Sequence, residues 1–521
     1  MNKNKTFLNL TISFGTQAVY LVLAIIVRRF LIAETGNDIN GMNQLFLSIT
    51  STISIVELGI GAGIIFCMFE PIAKAENDKI SALYYLFKRV YLIIGILVTV
   101  IGLAIMPILP KLAGEFEVTN EIYICYIVNL AATFLPYLFS YKQHLINAFK
   151  DNYISSIITF IGMSVQYALQ LMFLVMFQSF LLYLVAKVVG VLLQWIFSNI
   201  FVKKYEYITG NKMKLDPQTA TKTKKNIKAM FVHKVGDVLI NTADSLVISA
   251  CISVSVLGYY SNYLSLSSAF YNLIVLFFAP LTSIIGNVYV TKPKSETKNY
   301  MDFFHTFNFI VGLVFYLGFY AVIDNTITMF YGEGLLLERV VVKFFTIKLF
   351  VHYLKQAVAT FRDSTGSYRY DQWRPALQGF VNLALNLILV RFMGLLGIIV
   401  ATIVTELLIS SIVEPYILYK KMLDSSPKKY YIKNTFFISI FTCMIFLFDT
   451  ATPFSFENEF LTIIVKGFIS VGISAAISII TFFADKNFRY YLTDYVDYLL
   501  HKFKIKKTVK NEKTETEKDV T

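Results

Sequence analysis

TISFGTQAVYLVLAIIVRRFLI, Thr11–Ile32, is long and apolar enough to cross a bilayer, yet it carries two adjacent arginines, Arg28 and Arg29, near its end. About 20 mostly apolar residues span a hydrocarbon core of roughly 30 Å. An arginine at the centre of such a helix costs roughly 2.5–3.5 kcal/mol on insertion scales. The run therefore reads as a membrane helix whose arginines either reach the outer headgroups by snorkelling or face a polar interior.

Runs of this kind recur along all 521 residues, 56% of which are hydrophobic, and the mean hydropathy is +0.61. The chain is expected to be an all-α polytopic membrane protein with about fourteen spans. They lie near 8–32, 42–68, 90–111, 122–146, 154–177, 179–202, 230–254, 257–290, 303–323, 338–361, 375–393, 395–419, 434–450 and 460–484. A β-barrel is excluded, because its strands alternate in polarity and these runs are continuous. The eighth run is too long for one straight helix, and Pro280 predicts a kink in it. The basic start MNKNKTFLNL precedes a run too long for a signal-peptide core, so a retained first span is expected.

The net charge of +13 could point to nucleic acid, but its distribution follows a membrane instead. Numbering the loops alternately from an inside N-terminus puts Lys74, Lys79, Lys88 and Arg89 on one side, with Lys203 to Lys228, Lys292 to Lys298, Arg362 to Arg374 and Lys420 to Lys433. Glu115, Glu117, Glu121, Asp324, Glu333, Glu338, Asp449, Glu457 and Glu459 fall on the other. Both termini are thus expected in the cytoplasm, and no nucleic acid is expected as a partner. The domain organisation that follows is a six-helix lobe over 1–202, a basic cytoplasmic linker over 203–229 and a second six-helix lobe over 230–430. Two additional, peripheral membrane helices occupy 431–485, and a charged cytoplasmic tail fills 486–521.

Charges inside the spans are the candidate functional residues, since lipid exposure would penalise each one. Arg28, Arg29, Lys187, Lys348 and His352 are the candidate substrate contacts, and basic groups dominate the set. Lys348, His352 and Lys355, spaced i, i+4, i+7, share one helix face. Basic groups from both lobes suit an anionic cargo, and arginine binds phosphate through two parallel hydrogen bonds. Glu57, Asp237, Asp244 and Glu406 are candidates for holding a coupling proton or sodium ion, or for balancing the basic groups as counter-charges.

No enzyme signature appears: the sequence has no P-loop, no G-x-S-x-G and no H-E-x-x-H. Cys67, Cys125, Cys251 and Cys443 form no C-x-x-C pair, so neither a disulfide framework nor a metal site is expected. No cofactor is expected. Two lobes around polar groups at mid-membrane describe a common build of secondary transporters.

LIAETGNDINGMNQLFLSITSTISIVELGIGAGIIF (31–66), HKVGDVLINTADSLVISACISVSVLGYYSNY (233–263), FRDSTGSYRYDQWRP (361–375) and FVNLALNLILVRFMGLLGIIVATIVTELLISSIVEPYILYK (380–420) together carry a resemblance. In order and spacing they resemble the polysaccharide flippases, of O-antigen and capsule type, of the multidrug/oligosaccharidyl-lipid/polysaccharide exporter superfamily. Arg28 before Gly41–Phe46 and Glu57–Gly61, Asp244, Asn382, Asn386, Thr402 and Glu414 stand in matching places. Gln378 departs from the pattern, where many relatives carry an acid.

The resemblance implies a two-lobed bundle in a bacterial plasma membrane that alternates between inward-open and outward-open forms. Its implied cargo is a polyprenyl-diphosphate-linked oligosaccharide for capsule, exopolysaccharide or wall polymer assembly. The diphosphate would meet Arg28, Arg29 and Lys348, and the polyprenyl tail would stay in lipid beside the last two spans. Membrane lipids, a coupling ion, and glycosyltransferase and polymerase partners belong to the same expectation. The rivals are a cation-coupled multidrug exporter of the same superfamily and a non-transporting scaffold of a glycan assembly complex.

Overall fold

The computed structural model describes residues 3–54, 60–210, 213, 242–365, 370, 373–495 and 497. Among them every regular element is helical. In chain order the principal helices are α1 (Lys3–Thr35), α2 (Asn37–Ile53), α3 (Ile60–Ala73), α4 (Asn77–Ile105), α5 (Asn120–Phe134), α6 (Ser140–Ala148), α7 (Asn152–Phe177) and α8 (Phe180–Val202). Then come α9 (Thr242–Cys251), α10 (Val254–Thr291), α11 (Lys294–Tyr331), α12 (Arg339–Leu354), α13 (Gln356–Thr365), α14 (Arg374–Thr405), α15 (Ser411–Ile417), α16 (Lys428–Ala451) and α17 (Glu459–Ala484).

Nine stretches of helix among the described residues are long and apolar enough to cross a membrane. The expected spans map onto this order. α14 counts once although the sequence places two spans there, because the chain folds back on itself at Gly394. That residue has φ 55° and ψ −134° inside an otherwise helical run. A side chain at positive φ is strained, so glycine makes the turn. Asn382 in the first arm reaches Thr402 and Thr405 in the second, which fixes the antiparallel register. α10 runs as 38 residues of continuous helix through Pro280, longer than a bilayer core needs at 1.5 Å per residue. Span two is divided between α2 and α3, and span ten between α12 and α13. Of span seven, only α9 is described.

The chain divides into two compact units. The first comprises Met1–Ala269, Asp324–Phe344 and Gln372–Ser410; the second comprises Phe270–Ile323, Phe345–Asp371 and Ser411–Thr521. The linker expected at 203–229 is described only at 203–210 and 213, and the tail from 498 onward lies outside the described residues.

In the first unit, α7 and α8 form a hairpin. Gln178 ends α7 in a left-handed conformation, and the Ser179 hydroxyl accepts from Leu182 N to start α8. In the second unit, α16 buries a stripe of Tyr430, Asn434, Phe437, Phe441, Ile445 and Phe448, at spacings of three or four residues. Phe437 stacks on Phe309 of α11 at 3.9 Å, and Phe441 on Phe350 of α12 at 3.8 Å. α17 packs differently. Its buried residues are Thr462, Ser470 and Ser474, while Phe460, Phe468, Ile480 and Phe483 are exposed. Small residues inward and large apolar ones outward is the pattern of a lipid-facing helix.

Candidate functional site

Arg28 lies two turns before the end of α1. Its Nε donates to Asn262 Oδ1 at 3.0 Å, and its Nη2 donates to the Ser261 hydroxyl. Both acceptors sit about two turns into α10. The guanidinium carbon is 5.9 Å from the Tyr331 ring centroid, and Tyr183 of α8 is close enough to couple to it electrostatically. No carboxylate among the described residues pairs with Arg28. A cation removed from water usually gains an ionised partner, because neutral acceptors offset less of the desolvation cost. Arg29, by contrast, is exposed and makes no hydrogen bond or ion pair to a described residue.

Lys187 follows Tyr183 by one turn of α8. Its Nζ donates to Asn129 Oδ1 of α5 at 2.9 Å, and it too pairs with no described carboxylate. Asn129 is fully buried, and its Nδ2 has no hydrogen-bond partner. Arg28 and Lys187 of the first unit are thus met, among the described residues, by amides and a hydroxyl only.

A second polar cluster of the same unit joins α9 to the α14 hairpin. Asp244 is buried and accepts from Asn386 Nδ2 at 2.8 Å and from Thr402 Oγ1 at 3.1 Å. Asn386 also donates to Asn382 Oδ1, and its own Oδ1 has no partner. Further along the hairpin, Arg374 donates to Gln378 Oε1 and to Ser410, which itself donates to Gln378. Four-residue spacing explains the alignment: Arg374, Gln378, Asn382 and Asn386 lie along one face of the first arm. Thr402, Glu406 and Ser410 line the second. Glu406 is buried at the start of a π-helical turn, Glu406–Ser410.

In the second unit Lys348 is buried, with its Nζ 5.3 Å from the Phe345 ring centroid. His352, one turn on, is exposed and lies 6.2 Å from the Tyr271 ring. The face expected to hold Lys348, His352 and Lys355 is interrupted, because α12 ends at Leu354. Buried Glu414 pairs with Arg362 at 3.4 Å. Glu57 and Asp237 lie outside the described residues. No group of three or more His, Cys, Asp or Glu able to hold a metal occurs among the described residues.

The sequence singled out Arg28, Lys187 and Asp244 as candidates but not their neighbours Ser261, Asn262, Asn129 and Tyr183. Those partners are small polar or aromatic residues, common in any span. The four-residue polar stripe from Arg374 to Asn386 was a signal in plain view.

No protein-family model matches the chain, and no curated protein matches its sequence. Solved structures share its fold. A multidrug resistance MATE family transporter of the MOP superfamily, in an inward-facing conformation, superposes with a TM-score of 0.63 at 12% identity, covering 84% of this chain and 98% of that one. The lipid II flippase MurJ, in an inward closed conformation, gives 0.62 at 15% identity, covering 90% and 98%. A Vibrio cholerae MATE transporter, VcmN, gives 0.51 at 14% identity, covering 81% and 98%. The chain therefore has the MATE/MurJ fold and is a multi-pass membrane protein whose structural neighbours are transporters rather than enzymes.

Proposed function

We propose that this chain is an alternating-access flippase of the bacterial plasma membrane, with both termini cytoplasmic. Its cargo is a polyprenyl-diphosphate-linked oligosaccharide destined for capsule, exopolysaccharide or wall polymer assembly. The observation that carries the reading is the pair Arg28 and Lys187, intramembrane cations met, among the described residues, only by neutral acceptors. Such groups gain most from a dianionic headgroup, because charge-assisted hydrogen bonds are about twice as strong as neutral ones. Arg29, and Lys348 and His352 of the second unit, are further cargo contacts in this reading. Flipping makes and breaks no covalent bond, so the chain acts as a transporter and not an enzyme.

The rival, a cation-coupled multidrug exporter, shares the fold equally well. Cationic drugs call for acids, and the two charges that carry the present reading, Arg28 and Lys187, are basic. One observation serves both readings. Asp244 with Asn382, Asn386 and Thr402 gathers oxygen donors of the kind a hard cation takes, so a coupling proton or sodium ion would be held there. Liposomes holding a fluorescent polyprenyl-diphosphate oligosaccharide test the proposal. Wild type should expose the label to the opposite face, and Arg28→Gln with Lys187→Gln should not. Export of cationic dyes with no flipping would favour the rival.

A further inference from the structure

Helices α2 and α10 meet at their N-terminal ends, Asn37–Gly41 against Val254–Asn262. A Cβ on Gly41 would collide with the Val254 carbonyl, and one on Gly258 with the Asn37 carbonyl and side chain. The seam is backbone against backbone, tied by amides. Asn37 Nδ2 donates to Ser255 O at 2.9 Å, Asn40 Nδ2 donates to Gly258 O at 3.2 Å and to Asn262 Oδ1 at 3.2 Å, and the Ser255 hydroxyl donates to Asp38.

Arg28 ties α1 into the same seam through Ser261 and Asn262. It uses Nε and Nη2, one edge of the guanidinium, which is a fork that matches two oxygens of a phosphate. Here both prongs are spent on neutral oxygens. The amides around it close on one another only in part: Asn40 Nδ2 donates to Asn262 Oδ1, while Asn262 Nδ2 and Asn40 Oδ1 are buried with no hydrogen-bond partner among the described residues. Asn262 is fully buried, so this spare donor lies beside the fork and away from solvent.

We infer that Arg28 is a latch whose Nε–Nη2 fork is shared between the α2–α10 seam and an anionic diphosphate headgroup, so that binding the headgroup releases the seam. This deepens the proposed function and rests on its assignment of Arg28 to the diphosphate. A phosphate offers charged oxygens where Ser261 and Asn262 offer neutral ones, so the fork exchanges partners. Reciprocity follows: whatever loosens the seam raises the anion affinity by the same factor. Arg28 thereby couples occupancy to opening at one end of the first unit.

The test is a disulfide across the seam, away from the fork. Cys67, Cys125, Cys251 and Cys443 are replaced by Ser, Asp38→Cys and Ser255→Cys are introduced, and the full chain is placed in nanodiscs of zwitterionic lipid. Oxidative cross-linking is followed with undecaprenyl diphosphate, inorganic pyrophosphate or neutral undecaprenol added. The diphosphate lipid should slow cross-linking severalfold and undecaprenol should not. An effect of pyrophosphate alone would show that the free anion suffices, and its absence that the lipid-linked form is required; either accompanies a shared latch. Arg28→Lys keeps the charge but lacks the fork, and should bind the diphosphate lipid with cross-linking unchanged. Ser261→Ala with Asn262→Ala removes the competitors and should tighten diphosphate binding about tenfold, the worth of one charge-assisted hydrogen bond.

The inference is overturned if wild type binds the diphosphate lipid with unaltered cross-linking, if it binds none of the anions, or if the Ser261/Asn262 variant binds more weakly. Anion-dependent release without flipping in liposomes would keep the latch and remove the transport reading, so the two fail separately.

Discussion

Replacing Lys187 and Asn129 by apolar residues should stabilise the protein while abolishing flipping. α8 is 23 residues long, about 35 Å at 1.5 Å per residue, and Lys187 lies about 10 Å from its start. That depth is short of the helix centre, so the penalty for the charge falls to about 2 kcal/mol, below the central value of roughly 2.5–3.5. Its only offset among the described residues is the hydrogen bond to Asn129, itself buried with an unmatched Nδ2. Asn129→Leu alone leaves the ammonium without an acceptor and should cost about 2–3 kcal/mol. Lys187→Met alone removes the charge but strands the Asn129 amide, a gain and a loss of about 2 kcal/mol each, so it should be nearly neutral. The double variant removes both groups and should gain about 2 kcal/mol. The coupling energy is then about 4 kcal/mol, above the roughly 0.5–3 kcal/mol usual for a contacting pair. The cycle is read from thermal unfolding of purified protein in detergent, with flipping measured on the same preparations. A coupling below about 1 kcal/mol would refute the reasoning, because Lys187 would then be solvated rather than held by Asn129.

Gly394→Ala should cost about 1–3 kcal/mol and lower the yield of folded protein, since a Cβ at φ 55° strains the turn on which the α14 hairpin folds; size-exclusion recovery measures it. Phe441→Ala should cost about 3–5 kcal/mol by emptying the fully buried contact with Phe350, and Phe441→Leu less, as read by the shift in Tm. Asp485, just past α17, supplies a pH test. Burial would raise its carboxyl, but Lys433 at 2.5 Å, Thr306 and Phe488 N outweigh this and hold it below the ordinary 3.8. A lowered folded-state value means stability that is present above the ordinary value and lost as pH falls through the folded one. Unfolding on acidification below about pH 4 should therefore be blunted in Asp485→Asn, which Tm against pH would show. Asp244→Asn should reduce any sodium or proton dependence of flipping, measured in the same liposomes, because its carboxylate accepts from both Asn386 and Thr402 of the α14 hairpin.

Class and periodicity were legible without coordinates. Continuous apolar runs dictate helices in a bilayer, since no other open segment satisfies its own backbone there. Positions of the spans followed from the same runs, down to the break between 393 and 395 where Gly394 turns the chain. Lone intramembrane charges marked Arg28, Lys187 and Asp244, because each is costly enough in lipid to need a reason. What the tertiary structure alone decided is what each charge meets. Arg28 is answered by residues more than two hundred positions away, Ser261 and Asn262, and Asp244 by both arms of a hairpin. Asparagine, serine and glycine are ordinary in membrane helices, and neither their chemistry nor their spacing says which partner they face. Hydrogen bonds are short-range and directional, so only the packing of helices distant in sequence could turn those residues into a seam and a latch.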